Sequence, residues 1–266
     1  LDVSDVLAVE IRRHGKLDVV ERFLHGGELV DTICFRGDDH RAAPPRRPAV
    51  PIVAAAGGRE VEPVDQLLAA QLKLDMEQAE TALAAGQRDF GENYLQDALG
   101  KIDALAEAEP APIWHFVGDI QSNKTRDIAA HFAWAHAVDR LKIARRLSEQ
   151  RPDDMAPLNI CIQVNIDDED SKSGVAPPDV PELAAQIAEL PGVCLRGLMT
   201  IPAYSDDFEA QRKPFARLRD IQADLVARGF ALDTLSMGMT ADIDAAIAEG
   251  ATHVRVGTAI FGARDT

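Results

Sequence analysis

Two observations predict an α/β barrel. After residue 75, apolar strand-like runs alternate strictly with helix-like runs, and the strands are near-continuously apolar rather than alternating with polar residues. Such strands belong to a parallel sheet covered by helices. Seven strands follow residue 88, and one more upstream closes a (β/α)8 TIM-type barrel. A doubly wound open sheet is the alternative. In a barrel, function sits where the strands end, and there the chain is rich in small and polar side chains, among them Asn93, Asp119, Asp139 and Ser236. With 266 residues the chain is long enough for one such core.

Taken in order, residues 1 to about 35 carry two helix-like patterns, Val6 to Ile11 and Leu17 to Leu24, broken by His14-Gly15 and closed by Gly26-Gly27. His14 and His25 read as solvated turn residues. Between Arg36 and Pro51 the composition shifts to Arg, Pro, Asp and Ala, and Pro44, Pro45 and Pro48 rule out regular structure. The expected division is therefore a divergent N-terminal segment and Pro/Arg-rich linker over 1–49, then a barrel unit over 50–266. The first barrel strand falls in 50–56 or in 67–74.

The helix-like runs are expected at about 76–86, 94–108, 122–132, 140–150, 179–190, 207–228 and 241–249. The strands begin at Asp89, Ile113, Trp134, Leu158, Val193, Leu235 and His253.

Composition excludes several classes. The formal charge is −16, with 44 acidic against 28 basic residues, which argues against a nucleic-acid partner because phosphate backbones need basic patches. No run is long and apolar enough to cross a membrane. The opening Leu1-Asp-Val-Ser-Asp5 does not resemble a secretory signal, so a cytoplasmic chain is expected. Cys34, Cys161 and Cys194 are odd in number and widely spaced. The last two suit reduced core thiols, and no metal-ligand pattern exists. The acidic run Asp167 to Asp170 lacks the spacing of a calcium loop and reads as a solvated loop.

The last thirty residues carry the chemistry. Leu235 to Met239 and His253 to Gly257 are apolar strands ending in glycine and small residues, and the first leads into a helix with Thr240 as the expected N-cap. Strand ends and a helix start bring free N–H groups together, which suits a phosphate. Ser236 adds a hydroxyl, Gly238 and Gly257 allow close backbone approach, and Arg255 is a fixed cation.

Several blocks in order carry a resemblance. Phe90-Gly-Glu-Asn-Tyr-Leu-Gln96, Trp114-His-Phe-Val-Gly-Asp-Ile-Gln-Ser-Asn-Lys-Thr-Arg126, Ser171-Lys-Ser-Gly174, Arg196-Gly-Leu-Met-Thr-Ile-Pro202 and Phe261-Gly-Ala-Arg-Asp265 all resemble the pyridoxal phosphate homeostasis proteins. The resemblance implies the barrel of the alanine racemase N-terminal domain. It implies pyridoxal 5′-phosphate (PLP) as ligand and a role in carrying and buffering it without established turnover. Recipients would be PLP-dependent apo-enzymes, and a monomer is expected. By the same resemblance Ser236 holds the phosphate, with backbone near Gly238, Gly257 and Thr258 completing the cradle; Arg255 faces the pyridine nitrogen, and Asn93 lines the ring's other edge. His115 reads as a satisfied wall residue.

The departure is at the lysine that binds the cofactor aldehyde. Counting back from Ala85-Gly86-Gln87-Arg88 without a gap, that lysine falls on Leu72, and Lys73 stands one residue later. One residue in a strand turns a side chain to the other face, so Lys73 serves only if a bulge or a shifted helix start absorbs the offset. The alternatives are a barrel that binds PLP non-covalently or not at all, and a PLP-dependent racemase. A racemase would need a second domain carrying an opposing acid or base, and only Ala263 to Thr266 follow the last strand.

Overall fold

A computed structural model describes the backbone of strands β1 (Val6–Arg13), β2 (Lys16–His25), β3 (Glu28–Asp31) and β4 (Gln66–Ala70). It describes backbone and side chains over 76–167 and 173–257. Strand β4 opens the barrel. It is followed by β5 (Asp89–Glu92), β6 (Ile113–Phe116), β7 (Trp134–Val138), β8 (Leu158–Gln163), β9 (Val193–Met199), β10 (Thr234–Met239) and β11 (His253–Val256). Neighbouring strands pair in parallel in chain order, and β11 pairs with β4 to close the ring. The first barrel strand therefore comes from the second of the two expected runs.

Helices α1 (Met76–Ala84), α2 (Leu95–Ala104), α3 (Thr125–His131), α4 (Leu141–Glu149), α5 (Val180–Ala188), α6 (Phe208–Ala227) and α7 (Ile243–Ala248) fill the crossovers. Each buries one stripe. In α4 the stripe is Ile143, Ala144 and Leu147, all fully enclosed, and truncating Leu147 to Ala would cost about 2–5 kcal/mol. Phe90 and Trp114 meet at 5.4 Å on the helix-facing side of β5 and β6. Asp207 caps α6 by accepting from the Ala210 N–H at 2.7 Å. Glu249, buried after α7, pairs with Arg212 at 2.6 Å and with Arg219, which ties α7 to α6 beside the last two strands.

Three expectations are corrected. The two helix-like stretches near the N-terminus are strands of an antiparallel sheet, β1-β2-β3. Its ladders close on the pairs Arg13/Lys16 and His25/Glu28, each with two residues between. Two-residue spacers with glycine are a hairpin signal, and β-branched residues such as Val6, Val9, Ile11, Val19 and Val20 favour a pleated surface over a helix. Thr240 is not the cap of α7: Asp242 holds that position, and its Oδ1 accepts from the Met239 N–H at 2.6 Å. Cys161 is buried as expected, but Cys194, second in β9, is exposed.

Candidate functional site

A file of polar side chains runs through the barrel interior. Asp89 Oδ1 lies 3.2 Å from His115 Nε2, His115 Nδ1 lies 3.0 Å from His136 Nε2, and His136 Nδ1 lies 2.8 Å from Ser236 Oγ. Arg255 Nη1 then donates to Ser236 Oγ at 2.9 Å and to the Ser236 carbonyl at 3.0 Å, while Nη2 donates to the Thr200 carbonyl at 3.0 Å. These residues come from β5, β6, β7, β10 and β11, with Thr200 just past the end of β9. Strands β7 and β10 are separated by two others, so the bond from His136 to Ser236 crosses the interior. Each residue sits at an inward position of its strand, where alternation turns every second side chain to the axis.

Protonation states follow from burial. His115 and His136 are fully enclosed, and burial pushes both below the ordinary imidazole pKa, His136 well below with the neighbouring His115, His253 and Arg255 adding to it. Contact with Asp89 raises His115 against that trend without overcoming it. His253 is likewise pushed well below by burial; its Nδ1 meets Thr252 Oγ1 at 3.0 Å, and its buried Nε2 has no hydrogen-bond partner among the described residues. All three imidazoles are therefore neutral at pH 7. Burial also lowers the Arg255 guanidinium to about 10, so it stays charged at neutral pH.

Arg255 is the electrostatic centre of the site. A guanidinium carries five N–H donors. Those that bond here reach only the carbonyls of Ser236 and Thr200 and the Ser236 hydroxyl. The other Nη2 hydrogen and the Nε hydrogen have no acceptor among the described residues, and no carboxylate there forms an ion pair with the group. Asp242 acts on the group only through space and does not offset its burial; a buried cation without a paired carboxylate is costly, and it suits an acceptor atom on a polyanionic ligand.

Of the residues singled out in sequence, Ser236 and Arg255 are brought together, with Gly238 two residues further along β10 and Gly257 just past the end of β11. Gly238 has φ 93°, and a Cβ there would lie 2.5 Å from the Ala246 Cβ, so this glycine is needed by the packing of α7 as well as by its backbone. Asn93 lies just past β5, half-buried, and its side chain does not cap α2, whose N-cap residue is Tyr94. His115 is a wall residue bonded on both ring nitrogens. Lys73 and Thr258 lie outside the described residues.

Ser236 differs from expectation in one respect. It is fully enclosed, and its oxygen accepts from Arg255 and lies 2.8 Å from His136 Nδ1, so its hydroxyl is engaged in the interior and not at the mouth. The exposed hydroxyl at the end of β10 belongs to Thr240. Neither that hydroxyl nor the Thr240 and Ala241 N–H groups hydrogen-bond to any described residue. Sequence reasoning passed over Asp89, His136 and His253 as site residues. The available signal was parity: Asp89 stands two residues before Gly91 and His136 two after Trp134, each polar at an inward position of an apolar strand.

The chain is similar to known proteins of one family. Residues 69–265 match the family model described as alanine racemase, N-terminal domain. The chain is 57% identical over 213 residues to a pyridoxal phosphate homeostasis protein of Pseudomonas aeruginosa, covering 80% of this chain and 90% of that one. It is 47% identical over 220 residues to the protein of the same name from Escherichia coli, covering 82% and 94%. Among solved structures it is similar to PipY of Synechococcus elongatus with PLP bound, at TM-score 0.68 and 36% identity, covering 74% of this chain and 92% of that chain.

Proposed function

This chain belongs to the pyridoxal phosphate homeostasis protein family, and from that premise we propose that it binds PLP at the C-terminal mouth of its barrel and carries the cofactor in the cytoplasm without catalytic turnover. The observation that carries the reading is Arg255, a buried cation with N–H donors to spare beside the ends of β9 and β10. Its free edge faces the pyridine nitrogen. The phosphate sits at the ends of β10 and β11, on the N–H groups of Thr240 and Ala241, the Thr240 hydroxyl and the backbone of Gly257 and Thr258, with Gly238 allowing the approach and Ser236 acting through Arg255. Asn93 lines the far edge of the ring. Lys73 is the residue for covalent attachment, with purely non-covalent holding as the variant that Leu72 in the family's lysine position favours.

When bound, PLP supplies an aldehyde open to an amine and a ring that accepts electron density. Arg255, cationic at neutral pH, disfavours protonation of the ring nitrogen and so weakens that acceptance, which supports storage over turnover. The binding unit is the barrel, assigned to 50–266 with 1–49 outside it. The protein acts as a monomer and hands PLP to apo-enzymes. Adding PLP to the purified chain and recording its absorbance tests the reading: a new visible band, or saturable quenching of Trp114 and Trp134 fluorescence, is expected. Neither change at millimolar PLP overturns it.

A further inference from the structure

The polar file has a direction. With Asp89 as a carboxylate, it only accepts, so the proton of neutral His115 must sit on Nε2, leaving Nδ1 bare. A bare His115 Nδ1 must accept, so the proton of neutral His136 sits on Nε2 and its Nδ1 is bare in turn. Ser236 then has one place for its hydroxyl proton, the His136 Nδ1 at 2.8 Å. That turns an oxygen lone pair to Arg255 Nη1, which can only donate. Every link is fixed by the one before it. Were the polarity reversed, His136 would donate to Ser236, and the hydroxyl proton would be released to compete with Arg255 for space and acceptors.

We infer that Asp89, His115 and His136 are positioning residues for the ligand site, a hydrogen-bond chain that locks the Ser236 hydroxyl as an acceptor and so, with the carbonyls of Ser236 and Thr200, fixes which edge of Arg255 faces the mouth. Its relevance to PLP rests on the reading of Arg255 as the ring's partner. The chain starts at the first residue of β5 and ends on β11, so it couples strands on different sides of the barrel to the orientation of one guanidinium. Burial serves it twice. Water is kept from offering other partners, and the imidazoles stay neutral, with one proton each.

Ring-nitrogen NMR on the 15N-labelled full chain without ligand tests the polarity with no substitution. Both His115 and His136 are expected to carry one proton, on Nε2, near pH 7. A proton on Nδ1 of either ring, or an imidazolium, overturns the chain. The second arm measures PLP dissociation constants for Asp89→Ala, His136→Ala and the double variant, each first shown to be folded by circular dichroism. A loss of about tenfold for each single variant is expected, with no further loss in the double, since members of one chain are not additive. Multiplying losses, or none, would overturn the positioning role. Should the Asp89→Ala chain not fold, Asp89→Asn replaces it, with the tautomer shifts of His115 as readout: unchanged PLP affinity with altered tautomers overturns the link to Arg255. If the unaltered chain takes up no PLP while both rings show the expected tautomers, the cofactor reading fails and the hydrogen-bond chain stands.

Discussion

Gly238 joins the fold to the site, and replacing it with alanine gives a prediction with two separable parts. Its φ of 93° lies in the left-handed region, where a Cβ costs about 1–2 kcal/mol. The new Cβ would also sit 2.5 Å from the Ala246 Cβ, an atom fixed to the backbone of α7, well inside the usual carbon separation of about 3.5–4.0 Å. Relieving that overlap costs about 1–3 kcal/mol. Alanine regains about 0.4–1 kcal/mol by restricting the unfolded chain. Gly238→Ala should therefore destabilise by about 1–5 kcal/mol, read as a lower urea midpoint with an unchanged slope. Ala246→Gly alone should cost about 1–2 kcal/mol, from a lost buried methyl and lower helix propensity. The double variant separates the parts: it removes the overlap and keeps the unfavourable φ, so it should cost less than the two singles together by about 1–3 kcal/mol. Additive costs would refute the overlap, and a neutral Gly238→Ala would refute both parts.

Glu92 is fully enclosed, and although Lys101 Nζ lies 2.9 Å from Oε1, burial pushes the carboxyl up from 4.5 to about 7. A folded-state pKa above the unfolded one means the folded chain holds the extra proton, so this contribution is full below about pH 4.5 and is lost as pH rises through 7, by about 3 kcal/mol. Denaturation of Glu92→Gln across pH 4 to 8 should show a shallower fall than the unaltered chain over that window; parallel curves would sink the assignment. Thr240→Ala should weaken PLP or inorganic phosphate binding about tenfold, for one lost charge-assisted hydrogen bond. Ser236→Ala should lower stability by about 1–3 kcal/mol, for buried partners left unpaired, and weaken PLP about tenfold through Arg255 while leaving inorganic phosphate binding unchanged. Calorimetric titration of both variants decides, and an undiminished affinity in Thr240→Ala returns the phosphate to Ser236. Borohydride reduction in the presence of PLP, followed by peptide mass spectrometry, should place any covalent cofactor on Lys73. A substoichiometric adduct is expected, and a full adduct on another lysine would remove Lys73 from the site.

How far the sequence could be read depended on the range over which each signal acts. Strict alternation of apolar strands and helical stripes is local and repeats, so β5 to β11 and their helices were legible with ends displaced by a few residues. The N-terminal sheet was misread because Val-rich stretches of eight and ten residues satisfy a short helical pattern as readily as a strand, and the spacing of His14-Gly15 and Gly26-Gly27 was the better guide. The interior file is a product of closure. Nothing in the residues around Asp89 states that they will meet Arg255, because the bond from β7 to β10 exists only once the sheet has curled. Parity could have shown that Asp89, His115, His136 and Ser236 each point inward, but not which would touch. Position along the chain separates Ser236 from Thr240: Ser236 lies inside β10 and is committed to the interior, while Thr240 stands one residue past Met239, where alternation no longer applies. It bears on the anchor as well. Strand β4 is described to Ala70, and the rule that sends Leu72 and Lys73 to opposite faces holds only within a strand. The four-carbon side chain of a lysine has the reach to make up a one-residue offset, which makes Lys73 the residue to follow in the borohydride experiment.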